Sequence, residues 1–271
     1  MLPSPWTTSQ LRRLSHQIRD GTPLKPGDPT YDDVMLWYND AAAEVQRAIA
    51  ALDWEPLLLG RPFEVTSRPK TIDTLRDKLQ RDRATPLQNV QDIAGVRFEA
   101  EMSIDEQDGV VNAICGLYDH DMGTAVKDMR ATPHSGYRAV HIWLRLPARV
   151  EVQVRTHLQG LWANTYELAA DILGREIRYD ALPIDRGERA VVEMLRDIST
   201  RIISSIEKDR NEISTLEAQQ VDAQRRGSAP PLWLRRRLAK VRRRNLSNEA
   251  ELQDLLLSVQ DAFEQLRMER S

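Results

Sequence analysis

Hydrophobic spacing along the chain switches repeatedly between helical and extended periods. Leu11, Leu14 and Ile18 recur at steps of three and four behind Thr7 and Ser9, and predict a short helix before the Gly- and Pro-rich loop 21–30. From Tyr31 to about Leu59, Val34, Met35, Tyr38, Ala42, Val45, Ile49 and Leu52 share one side of a longer helix, stopped by Gly60 and Pro62. Phe63 to Ser67 reads as a short strand, 71–83 as a helix, and Ile93 to Ala100 as a strand entered through Asp92. Ser103 to Tyr118 is a helix with Ser103 and Glu106 spaced as a capping box. Thr124 to Arg130 is a further strand. The stretch from Tyr137 to Arg155 then gives two short strands, with Tyr137, Ala139 and His141 on one face of the first. In the second, Val150, Val152 and Val154 face one way, and Glu151, Gln153 and Arg155 the other. Thr156 to Leu173 is a helix ended by Gly174. This order predicts an α/β (α+β) fold whose mixed sheet of about five strands is flanked by helices.

After Pro183 the pattern changes. Residues 186–220 hold no proline and no aromatic, and Val191, Leu195, Ile198, Ile202, Ile213 and Leu216 follow heptad-like steps, which predicts a long helix. Residues 225–231 read as a linker, and a last amphipathic helix runs from about Ser247 to Met268. The expected division is an N-terminal helical region at 1–59, a central domain at 60–180 and a C-terminal helical region at 181–271.

Composition narrows the class. The formal charge is −3 over 271 residues, so any contact with nucleic acid must come from a local patch. The single cysteine, Cys115, excludes an intrachain disulfide framework and reads as a small buried hydrophobe. No stretch approaches the ~18 apolar residues of a membrane helix, and the N-terminus lacks the apolar run of a signal peptide. A cytoplasmic protein with no membrane partner is expected.

Two carboxylates carry the chemistry. Asp92 stands at the mouth of a strand and Glu151 in the middle of one. An acid that holds Mg²⁺ and an acid that deprotonates a hydroxyl are what phosphoryl-type transfer needs. Upstream, Arg68, Lys70, Lys78, Arg81 and Arg97 form a basic set suited to a triphosphate, or else a solvated helix face. Neither GxxxxGK[ST] nor GxGxxG occurs. His120-Asp121 is the lone His-Asp pair and reads as a turn. Arg235, Arg236, Arg237, Lys240, Arg242, Arg243 and Arg244 form a basic run that either grips RNA phosphates or pairs with the acids of 249–264 or of a partner. The tryptophans, Trp143 and Trp162 among them, read as structural.

Four blocks, SRPKTIDTLRDKLQRDR, QDIAGVRF, SGYRAVH and VEVQVRTHLQGLWA, resemble in order and spacing the synthetase domain of RelA/SpoT alarmone enzymes over about residues 60–175. The length resembles the small alarmone synthetases, and the spelling of the last two blocks resembles their toxic actinobacterial and phage-borne branch. The resemblance implies a pyrophosphokinase moving the βγ-diphosphate of ATP to a nucleotide 3′-hydroxyl. Arg68, Lys70, Lys78 and Arg81 would embrace ATP, and Arg97 would stack on its adenine. Asp92 and Glu151 would bind Mg²⁺, Glu151 also activating the hydroxyl with Gln153 beside it. Tyr137 would stack on the acceptor base, His141 would reach the acceptor's ribose or phosphates, and Arg155 would support the site. Where guanosine-specific members carry Pro-Lys-x-Asn-Gly, this chain has Pro133-His134-Ser135-Gly136, and Lys127 and Arg130 stand as candidate acceptor-phosphate contacts.

Two acceptors fit this reading: GDP or GTP, giving (p)ppGpp, and the 3′ end of tRNA, whose modification would block aminoacylation. Either suits a growth-inhibiting toxin or phage-defence factor with an antitoxin protein as partner. The helices beside the basic run are what small family members use to form homo-oligomers. Two other classes remain open: a catalytically silent nucleotide-sensing module, and a nucleotidyltransferase that moves AMP.

Overall fold

In the computed structural model, residues 3–69 and 71–270 are described, without the side chains of 68, 69 and 270. Helix α1 (Thr8–Asp20) is capped reciprocally by Thr7 and Gln10 and ends at Gly21, in the left-handed region at φ 73°. Helix α2 (Tyr31–Ala50) has the same reciprocal cap between Thr30 and Asp33. The helix expected to reach about Leu59 stops at Ala51. The Asp53 carboxylate takes the Glu55 amide at 3.1 Å, and a single turn, α3 (Glu55–Leu58), restarts with Pro56 near its head.

Five strands follow: β1 (Phe63–Pro69), β2 (Ala94–Ala100), β3 (Val126–Asp128), β4 (Val140–Leu144) and β5 (Val150–Thr156). They form one mixed sheet in the order β1-β2-β5-β4-β3, as the pattern predicts. In β2, residues alternate between buried and half-buried, so Val96 and Phe98 enter the core while Arg97 faces outward. Helix α4 (Ile72–Arg81) lies between β1 and β2 in sequence and buries Leu75 and Leu79. Helix α5 (Ile104–Leu117) opens with the predicted capping box. The Ser103 amide donates to Glu106 Oε2 at 2.7 Å, and the Glu106 amide donates to Ser103 Oγ at 3.2 Å.

Two strand expectations are corrected. Asp121 caps a short helix, α6 (Met122–Ala125), where a strand was expected from Thr124, so β3 keeps only three residues. Tyr137 is not on a strand. Its amide closes a turn onto the His134 carbonyl at 2.9 Å and β4 begins at Val140, so Tyr137 does not share a strand face with His141.

Helix α7 (His157–Leu173) is capped by Thr156 with Gln159. The helix expected over 186–220 is three segments: α8 (Arg186–Asp197), a π-helical stretch (Ile198–Ile203) and α9 (Ser204–Arg225). The final helix, α10 (Leu232–Arg270), starts well before Ser247, because Leu234, Leu238 and Val241 extend the buried stripe of Leu252, Leu256 and Phe263. The basic run is therefore the first part of that helix.

The chain folds as two compact units: Met1–Glu99, Val110–Lys127 and Val140–Val154 in one, and Ala100–Gly109, Asp128–Ala139 and Arg155–Ser271 in the other. In the first, Phe63 stacks on Phe98 at 5.6 Å and Trp54 meets Phe98 edge-on at 4.9 Å. In the second, Trp162 stacks on Tyr166 at 4.8 Å among Leu195, Ile198, Ile206 and Leu256. Each such buried side chain contributes ~1.5–3 kcal/mol. Cys115 is buried, as its small apolar character suggests. Among the described residues no helix is long and apolar enough to cross a membrane.

The second unit also buries an ion pair. Arg138 Nη2 lies 2.6 Å from Glu207 Oε2, with side chains 7% and 2% exposed. Glu207 Oε1 accepts from Gln159 Nε2 at 2.7 Å and from the Thr156 hydroxyl at 3.1 Å. Arg138 donates to the carbonyls of Arg130 and Ser199. Removing one charge of such a pair leaves the other buried and uncompensated. Glu207→Gln should therefore lose ~3–5 kcal/mol of folding free energy, measured by urea unfolding; a loss within ~0.5 kcal/mol, the surface-substitution range, would show that the pair is not a keystone.

Candidate active site

Strands β4 and β5 pair antiparallel with His141 opposite Gln153 and Trp143 opposite Glu151. Alternation then places all four side chains on one face. His141 Nδ1 lies 3.1 Å from Glu151 Oε1, Trp143 Nε1 donates to the same oxygen at 3.3 Å, and Gln153 Nε2 donates to Oε2 at 2.9 Å. Glu151 is 8% exposed. Burial opposes its ionisation, but the His141 hydrogen bond and charge, with the Gln153 hydrogen bond, outweigh it and hold the carboxyl below the ordinary glutamate range. Asp92 pushes the other way by like charge, so the two acids share one field.

Asp92 sits in the turn ahead of β2, where Lys78 of α4 reaches it, Nζ to Oδ1 at 2.5 Å. Arg81 follows Lys78 on α4 and is exposed, and Arg97 is half-buried on the outward face of β2. Arg68 lies on β1 by its backbone; its side chain, and Lys70 altogether, fall outside the described residues. No group of three or more His, Cys, Asp or Glu able to hold a metal occurs among the described residues. Two carboxylates suit Mg²⁺ nonetheless, because that ion keeps waters and takes phosphate oxygens around one or two protein acids. Lys127, on β3, holds its ammonium 5.1 Å from the centroid of the Trp143 ring.

The turn that carries Tyr137 belongs to the second unit and is fixed from several sides. The Ser135 amide and hydroxyl donate to Asp180 Oδ1 at 2.9 and 2.8 Å, and His134 Nδ1 lies 2.7 Å from Asp180 Oδ2. The Ser199 hydroxyl, from the π-helical stretch, donates to the Gly136 carbonyl at 2.6 Å. Arg155, 4% exposed, donates from Nη2 to the Tyr137 hydroxyl at 2.8 Å and lays its guanidinium 5.2 Å from the ring centroid. Arg130 is held by Asp108 and Asp128, each at 2.6 Å, which weakens its candidacy as a phosphate ligand.

A model of the region found in RelA and SpoT proteins matches residues 67–173, which include every candidate site residue named above. An uncharacterized protein of Mycobacterium tuberculosis is 46% identical over 195 residues, 72% of this chain and 70% of that protein, and a Mycobacterium bovis protein matches equally. This chain belongs to the RelA/SpoT family. Among solved structures, small alarmone synthetase 2 from Bacillus subtilis has the same fold, with TM-score 0.52 and 22% identity, covering 68% of this chain and 98% of that one. Small alarmone synthetase 1 from the same organism, bound to its product pppGpp, gives 0.51 and 20% over the same shares.

Within this RelA/SpoT region, Trp143, read from the sequence as structural, lies on the His141 face by its period-two spacing and donates its indole to Glu151. Trp162 was read correctly: it is 1% exposed, and its indole donates to the Leu195 carbonyl at 2.6 Å. It also explains the glycine of the turn. Gly136 has φ +86°, and a Cβ there would meet the Trp162 ring at 3.0 Å and the Arg196 backbone at 3.2 Å. Gly136→Ala should destabilise by ~1–3 kcal/mol. Gly116→Ala, in open space on α5, should instead stabilise by up to ~1 kcal/mol. Urea midpoints of the two variants decide this, and equal shifts would refute it.

Proposed function

We propose that this RelA/SpoT protein is a Mg²⁺-dependent pyrophosphokinase that transfers the βγ-diphosphate of ATP to the 3′-hydroxyl of a guanosine nucleotide. The observation that carries the reading is Glu151: a buried carboxylate, kept ionised by His141 and Gln153, in the field of Asp92. A carboxylate held in this way can accept a proton at neutral pH. In the reaction, Glu151 takes the proton of the 3′-hydroxyl and the freed oxygen attacks the β-phosphorus of ATP. The bond from that phosphorus to the α–β bridging oxygen breaks, and AMP leaves. Asp92 and Glu151 are the residues that would hold Mg²⁺, which supplies charge neutralisation to the phosphates. Arg68, Lys70, Lys78, Arg81 and Arg97 bind ATP in this reading. Tyr137, backed by Arg155, is the stacking surface for the acceptor base, while His141 and Lys127 address its ribose and phosphates. A growth-inhibiting role, with an antitoxin protein as partner, belongs to the same proposal.

The test is transfer of label from γ-³²P-ATP with GDP, GTP and bulk deacylated tRNA offered side by side. Label should appear on the guanosine nucleotide, vanish with EDTA, and fall by ~10²–10⁴ in Glu151→Gln while ATP binding persists. Label on tRNA alone would keep the transfer reading and replace the acceptor. No label on any acceptor would favour the nucleotide-sensing module. Growth on expression, wild type against Glu151→Gln, reads the cellular role.

Trp143 gives a finer check. Trp143→Phe keeps an aromatic ring near Lys127 and removes one donor to a charged acceptor, a bond worth ~1.5–3 kcal/mol. We expect kcat to fall by ~10- to 100-fold with the KM for ATP unchanged. A rise in that KM with kcat intact would place Trp143 in ATP binding instead.

A further inference from the structure

Asp180 lies beyond residue 173, where the RelA/SpoT region ends, yet it is bonded to the turn that carries Tyr137. The bonding is reciprocal. Asp180 Oδ1 accepts from the Ser135 amide and hydroxyl, and the Asp180 amide donates back to Ser135 Oγ at 2.9 Å. The second carboxylate oxygen faces His134 Nδ1. The same exchange caps a helix when its two residues are neighbours; here it joins segments 45 positions apart.

The backbone marks the clasp as well. Among the described residues, four other than glycine have a left-handed backbone, and two of them are Ser135, at φ 52°, and Asp180, at φ 63°. Such conformations persist where the surroundings over-determine them, and they cluster at functional sites. Asp180 stands at the end of a short 3₁₀ turn (Arg175–Tyr179) that is itself fixed. Arg196 of α8 donates to the carbonyls of Ile177 and Ala181 at 3.0 and 3.1 Å and to the Tyr166 hydroxyl at 3.2 Å. The Tyr166 hydroxyl donates to the Ile177 carbonyl at 3.0 Å. The Ser135 hydrogen bond, helped by the His134 charge and opposed by burial, holds the Asp180 carboxyl below the ordinary aspartate range. The carboxylate is 56% exposed, so its loss strands no buried charge, unlike the loss of Glu207.

We propose that Asp180 is a positioning residue for the acceptor, whose clasp on Ser135 sets the Tyr137 ring in the stance that stacks on a guanine base. Asp180 acts through the backbone just ahead of the ring. Without the clasp the turn is ordered for only part of the time, and the apparent affinity for the acceptor falls by that fraction. The inference rests on the reading of Tyr137 as the acceptor's stacking surface.

The variants that test it respect the backbone. Glycine suits φ 63°, so D180G removes the carboxylate without adding strain, while D180N keeps an oxygen for Ser135. In the label-transfer assay D180G should raise the KM for GDP ~10-fold, with the KM for ATP, kcat at saturating GDP and the urea midpoint close to wild type. D180N should recover most of the loss. S135G should act in the same direction, and D180G/S135G should cost no more than the worse single variant. GDP binding by equilibrium dialysis without ATP should follow the KM. A D180G protein with the wild-type KM for GDP, or with both KM values raised alike and no recovery in D180N, would overturn the inference and leave the transfer reading standing. A wild type that binds GDP but passes it no label would end the transfer reading alone, and weaker GDP binding by D180G would then uphold the inference. A wild type that binds no GDP would overturn both.

Discussion

The second unit is arranged around two charges that water cannot reach. Taking Arg138 and Glu207 out of solvent costs several kcal/mol for each ion, and their mutual attraction offsets this only where the remaining donors and acceptors are also engaged. That requirement explains the neighbours. Thr156 and Gln159 close on one Glu207 oxygen, Gln107 hydrogen-bonds Gln159 in turn, and Arg138 reaches the backbone at Arg130 and Ser199. Arg138 directly follows Tyr137, so the geometry that satisfies the buried charges also sets where the aromatic ring stands. The π-helical stretch shares in this, presenting the Ser199 carbonyl to Arg138 and the Ser199 hydroxyl to Gly136. Stretches of this kind often occur at functional sites.

The first unit handles a buried charge differently. Glu151 is held by an imidazole, an indole and an amide. Directional donors stabilise the anion, and so keep the carboxyl below the ordinary glutamate range, without setting a permanent cation on it. Asp92 is treated in the opposite way, with Lys78 directly on it. Two acids in one field thus have distinct electrostatic surroundings.

Elements governed by local rules were legible in the sequence. The Ser103–Glu106 capping box, the strand β2, the alternation of β5 and the α4 helix all follow from residues within a few positions of one another, and the structure places them as read. The errors came where distant packing decides. Helix α10 was read as starting at Ser247 because Pro230-Pro231 and the arginines suggested a linker and a tail, although Leu234, Leu238 and Val241 already carried the helical period. The acids paired with those arginines lie on α9, before the helix and not after it. The π-helical stretch has no local signature, since it is sustained by Ser199 and Ile198 meeting partners far away in sequence. In the site, the Glu151 face was legible by period, whereas the turn geometry of Tyr137 was not.

The Glu151 cluster and the Tyr137 turn also differ in how far apart along the chain their contacts are. The bonds that hold Glu151 join residues ten, eight and two positions apart, all on one hairpin. Those that hold the Tyr137 turn bridge 45, 61 and 63 positions. Local contacts close early and cheaply, while distant ones wait for loop closure and are the first to open in partial unfolding. Glu151 is thus held by contacts within one hairpin, whereas the Tyr137 turn is completed only once the C-terminal helices have docked. Of the two, the Tyr137 turn is the later to assemble and the earlier to open.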